Sequence, residues 1–136
     1  MADRPVVLAR ACIKLLSATE ADPRASNQHE FNGVVQLQEI FGVDAFERQA
    51  KFVLRGTDIS DFAKVTWYDA RRRHPSRSEY RLYFQTNSVM KCAHEGDNIL
   101  IGFDRVGQMH CVLIPTGAKE HRKDVIGWER IGDGDA

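Results

Sequence analysis

Residues 98–115 read Asn98-Ile99-Leu100-Ile101-Gly102-Phe103-Asp104-Arg105-Val106-Gly107-Gln108-Met109-His110-Cys111-Val112-Leu113-Ile114-Pro115. Two apolar runs, Asn98 to Phe103 and Met109 to Pro115, flank the polar stretch Asp104 to Gln108. That is the pattern of a β-hairpin, with Gly107 supplying the special backbone angle of the turn. Working upstream, Glu79 to Phe84 alternates with period two. Tyr80, Leu82 and Phe84 fall on one face, which places Leu82 and Phe84 in the core, and Glu79, Arg81 and Tyr83 fall on the other. Phe46 to Leu54 and Ala63 to Tyr68, separated by Gly56, Asp58 and Ser60, form two strands joined by a turn. From Val6 to Leu16 both strand and helix fit the pattern, and a strand is expected at least over Cys12 to Ser17.

Helical signals are few. Val34, Leu37 and Phe41 stand at helical spacing, so a short helix is expected over Val34 to Ile40 with Gly42 as its stop. Asn87 can cap a second over Ser88 to His94, ending near Gly96. Between them and the strands, Ser17 to Asn32 is polar and reads as a loop of unusual length. The strands are mostly adjacent in sequence and leave few residues for helical crossovers. The expected fold is therefore mixed but mainly β, a largely antiparallel barrel of about six or seven strands with two short helices.

A chain of 136 residues fits one domain with its own core. The domain is expected over residues 1–127, with 128–136, acidic and Gly-bearing at its end, as a tail or the start of a linker. Nineteen Lys plus Arg balance nineteen Asp plus Glu, so no overall basic excess marks a non-specific nucleic-acid binder. Locally the balance fails. Arg71, Arg72, Arg73, Arg77 and Arg81 crowd between Ala70 and Arg81 against one acid, Glu79, with Arg55 on the preceding strand. Cys12, Cys92 and Cys111 are odd in number and lack a Cys-x-x-Cys pair, which indicates neither a disulfide framework nor a zinc site and suits a reducing cytoplasm. The apolar stretch after Met1 to Pro5 is too short for a signal peptide or a membrane span.

Enzyme chemistry finds little support. A metal-dependent nuclease needs two carboxylates and a lysine converging on a metal-bound water. Asp124 and Glu129 lack the strand context and the lysine, and Asp97 stands isolated. The five histidines show no ligand spacing, and the cysteines sit in apolar runs where structural thiols are commoner than nucleophiles. No Gly-rich phosphate loop is present. No catalytic residue, metal or cofactor is expected.

Two arms remain. In an extended segment Arg77, Glu79 and Arg81 project from one face. Arginine donates bidentately to O6 and N7 of guanine and glutamate accepts from N4 of cytosine, so this row suits a G·C-rich step in the major groove. Arg71 and Arg73 extend its positive stripe. The plainer reading is a solvated strand face in which Glu79 pairs with its arginines. The other arm, first in chain order, comprises Lys14, Ser17, Glu20, Arg24, Ser26, Asn27, Gln28 and His29. Asn and Gln are the side chains that read adenine, and Lys14 and Arg24 suit phosphates. The plainer reading here is a surface loop.

At these arms the chain resembles the N-terminal DNA-recognition, effector-binding domain of EcoRII-type restriction endonucleases. The stretch Ile13-Lys14-Leu15-Leu16-Ser17-Ala18, the polar loop ending in His29 and Gly33 resemble that family's first strand and N-terminal arm. Arg77-x-Glu79-x-Arg81 resembles its C-terminal arm. Tyr80 to Phe84, Asn87, Gly96-Asp97 and the closing hairpin resemble the latter half of related recognition domains. The likeness covers roughly Arg10 to Pro115, through short motifs and with differing loop lengths, and the middle of the first arm, Asp22-Pro23-Arg24, departs from the family. It implies a pseudobarrel like that of the plant auxin-response-factor DNA-binding domains, gripping the major groove of double-stranded DNA at a short site with CC/GG half-sites. It also implies a non-catalytic, monomeric module whose nuclease lies in a C-terminal domain of the same full-length protein or in a partner chain. The rival expectations are a compact nuclease with an unrecognised metal site and a β-barrel for another anionic ligand.

Overall fold

The computed structural model describes residues 8–22, 30–71, 73 and 78–131. The fold is mainly β. Eight strands form one sheet curled into a half-barrel, accompanied by two short helices. In chain order these are β1 (Leu8–Leu15), α1 (Ala18–Ala21), β2 (Glu30–Gly33), α2 (Val35–Phe41), β3 (Phe46–Leu54), β4 (Ser60–Asp69), β5 (Tyr80–Phe84), β6 (Asn98–Asp104), β7 (Met109–Ile114) and β8 (Glu129–Ile131). Across the sheet the order is β2-β5-β4-β3-β7-β6-β1-β8. Every pairing is antiparallel except β3 with β7, which joins the β3–β4–β5 meander to the β6–β7 hairpin.

Alternation along each strand explains the layering. Cys12, Phe52, Val65, Trp67, Leu82, Phe84, Cys111 and Leu113 point into the main core, where Leu37, Ile40 and Phe41 of α2 pack onto the same face. Phe84 and Leu82 are both buried, as their phase requires. The opposite residues of β1 and β7, Ile13, Val112 and Ile114, meet Val125 from the segment after β7 in a second cluster. Hence all six residues of β7 are buried, and its sequence is apolar apart from His110, which bonds Asp104 at 2.9 Å.

Some expectations need correction. The polar stretch after Ser17 holds the single-turn α1 and closes on the short edge strand β2, so it is not one loop from Ser17 to Asn32. The helix expected over Ser88 to His94 is only a 3₁₀ turn at Met90–Cys92, although Asn87 does accept the Met90 N–H at 3.0 Å. The strand expected over Cys12 to Ser17 runs earlier, at β1. Finally, the boundary at residue 127 falls inside the fold: Trp128 is buried against Phe31, ring centroids 5.5 Å apart, and β8 pairs with β1.

Candidate nucleic-acid interface

The β4–β5 connection carries the arginine-rich segment, and Asp69 at the end of β4 fastens both of its ends. One carboxylate oxygen, Oδ1, accepts the backbone N–H of Arg71 at 2.9 Å and of Glu79 at 2.8 Å, while Ala70 N–H donates to the Glu79 carbonyl at 2.7 Å. This closure brings Arg71 beside Glu79, eight residues later in the chain. Arg71 Nε donates to Glu79 Oε1 at 2.8 Å, and Arg81 Nη2 bonds Glu79 Oε2. Glu79 and Arg81 thus share the outer face expected from their spacing. The two guanidiniums hold the Glu79 carboxyl down at about 2, with the Arg71 hydrogen bond the larger cause and Arg81 the next.

Arg81 sits in a cross-strand row, with Asn32 of β2 on one side and Tyr68 of β4 on the other. Its Nη1 lies 3.5 Å from Glu30 Oε1, and the Tyr68 hydroxyl donates to Glu30 Oε2. Burial, then the bond to Glu30, pushes the Tyr68 phenol up to about 12. Arg81 Nε is buried and has no hydrogen-bond partner among the described residues. Its guanidinium is held in the charged form chiefly by Glu79. Beside this network an open cleft of about 440 Å³ runs between Asn32, Gly33 and Val34 and the facing Ser78, Glu79 and Arg81. Gly33 permits that approach: a Cβ there would lie 2.5 Å from Tyr80 Cβ and 2.7 Å from Trp67 Cη2.

The first arm is organised differently. Lys14 Nζ reaches both Glu20 oxygens, at 2.8 and 2.9 Å, and lies 5.9 Å from the centre of the Trp128 ring. Ser17 caps α1 by accepting the Glu20 N–H at 3.2 Å, and Glu20 Oε1 accepts the Ser17 N–H at 3.0 Å. Lys14, Ser17 and Glu20 therefore come together and bond one another, a pairing that the assignment of Lys14 to phosphate did not anticipate. The signal was present as Ser17-Ala18-Thr19-Glu20, the Ser-x-x-Glu of a capping box. Arg73 is exposed. Arg24, Ser26, Asn27, Gln28, His29 and Arg77 lie outside the described residues. Glu30, Tyr68 and Asp69 belong to the network although the sequence singled out none of them.

Of the carboxylates weighed for metal chemistry, Asp97 is buried and accepts the backbone N–H of His94 and Thr116. Glu129 does stand on a strand, β8, contrary to expectation, and with Asp124 it pairs with Arg122. Among the described residues no three His, Cys, Asp or Glu side chains converge as metal ligands, and no helix is long and apolar enough to cross a membrane. Burial pushes the Cys12 thiol up to about 11 and raises that of Cys111 further, away from the reactive thiolate. Comparison with protein-family models and with curated proteins finds no match to this chain.

Proposed function

We propose that this chain binds double-stranded DNA sequence-specifically through the outer face of β5 and its flanking arms. It acts as the non-catalytic recognition or effector module of a restriction endonuclease, on a short G·C-rich site built from CC/GG half-sites. The observation that carries the reading is the constellation Arg71, Glu79 and Arg81: two guanidiniums and one carboxylate at one end of a strand, beside an open cleft. A planar fork donor fixed by an acid is the device that reads a guanine edge, and an acid held ionised suits a cytosine amino group. Lys14, Ser17 and Glu20 then anchor the base of the first arm, with base and phosphate contacts falling to later residues of that arm. The resemblance to EcoRII-type recognition domains supplies the restriction context, the monomeric state and the nuclease carried elsewhere, and the odd number of cysteines suits a cytoplasmic location.

One observation favours a second reading. Arg71, Arg81, Glu79 and Glu30 neutralise one another, as a solvated strand face would. A mobility-shift titration of one duplex at several salt concentrations separates the two. A DNA interface loses affinity steeply with salt through counterion release, and a log–log slope near zero speaks for the self-paired surface.

A further inference from the structure

The side chain of Glu30 is only 10 % exposed, yet it belongs to the edge strand β2. In register Glu30 faces Tyr83 of β5, while the hydroxyl that bonds it belongs to Tyr68 on β4, the next strand over. The Glu30–Tyr68 contact therefore passes diagonally across β5, and the residue it borders there is Arg81. Asn32 and Tyr68 flank Arg81 along the same row. The guanidinium is left between two carboxylates, Glu30 at Nη1 and Glu79 at Nη2, with Nε–H turned into the protein. Each terminal nitrogen keeps a second N–H for a ligand. Glu79 is itself shared with Arg71, so among the described residues Glu30 is the acid whose ion pair is with Arg81 alone.

We infer that Glu30, held by Tyr68, is a specificity-determining positioning residue: it fixes the plane of the Arg81 guanidinium and cancels the charge that would otherwise draw any phosphate to it. The inference rests on the DNA reading for its purpose, but not for the hold itself. A guanidinium fixed in plane can present two parallel N–H groups to guanine, whereas a released one gains freedom and net positive charge at the same place. Removing the Glu30 charge therefore acts on both sides of discrimination, weakening the preferred site and strengthening all others.

Two measurements on the full chain decide it. In the free protein, the Arg81 side-chain nitrogen resonances, assigned with Arg81→Lys, should be distinct through hindered rotation in the wild type. They should broaden or merge in Glu30→Gln, an isosteric change, and respond in the same direction but less in Tyr68→Phe. In a competition assay, Glu30→Gln should lower the ratio of preferred-site to scrambled-duplex affinity by about tenfold, with scrambled duplex bound more tightly. Unchanged Arg81 resonances in Glu30→Gln, or an unchanged ratio with weaker binding to every duplex, would overturn the inference. If the wild type shows no preference among duplexes, the DNA reading fails, and the resonances alone decide whether Glu30 holds Arg81.

Discussion

At the scale of single residues, the outer face of β5 is an electrostatic closure rather than a row of free cations. Glu79 is central, and its acidity can be followed directly. Its folded carboxyl ionises at about 2 against an ordinary 4.5, so its contribution to stability is complete above that ordinary value and is lost as the pH falls toward 2. Urea denaturation of wild type and Glu79→Gln across acid pH should show a stability gap that is constant near neutrality and closes between those two values. A gap independent of pH would mean that the carboxylate is not paired in solution. Lys14 carries a second expectation. Because its side chain is 15 % exposed and its ammonium doubly bonded to Glu20, Lys14→Ala should cost about 1–3 kcal/mol in chemical denaturation and leave the salt slope of DNA binding unchanged. A slope lowered by about one with stability intact would restore Lys14 to the phosphate contacts. The pairing of Glu79 with Arg81 was legible in their period-two spacing, since side chains two apart on a strand share a face; the pairing with Arg71, eight residues earlier, was not, because it follows from the Asp69 closure of the β4–β5 connection. The roles of Glu30 and Tyr68 were not, because they depend on which strands flank β5.

At the scale of elements, the strands that carry their own periodicity are the ones the sequence revealed. Phe46–Leu54 matches its expected range, and the β6–β7 hairpin announces itself through Gly107, whose φ is 88°. The two shortest strands were silent for a physical reason. Four residues of β2 and three of β8 are too few to show a period, and both are strands only because β5 and β1 offer them a ladder. The β3–β7 parallel pairing is likewise set by long-range contacts. Treating residues after 127 as a tail followed from their polarity, yet Trp128 is 7 % exposed and closes the core between Phe31 and Lys14. Trp128→Ala should accordingly cost about 3–5 kcal/mol, the range of a large aromatic removed from a core. A loss within about half a kcal/mol in a denaturant titration, as at a surface site, would return this segment to the tail.

At the scale of the whole molecule, a neutral chain places four of its thirteen arginines between β4 and β5, and Glu79 and Glu30 pair with Arg71 and Arg81 at the edge of that connection. Under the proposed DNA binding, phosphate contacts supply the salt-dependent part of the affinity, and base edges that exchange these ion pairs for matched donors and acceptors supply the preference. Sequence preference rather than tightness is what such a face is expected to deliver. The most direct test is a selection of bound duplexes from a random pool, run in parallel with the wild type and Arg81→Ala. Sequence-specific binding predicts that the wild type enriches one short G·C-rich motif and that Arg81→Ala loses that enrichment, at a cost of about 1–3 kcal/mol on the selected duplex, while still retaining non-specific DNA. A wild-type pool that stays random through successive rounds, or an Arg81→Ala pool enriched in the same motif, would contradict it.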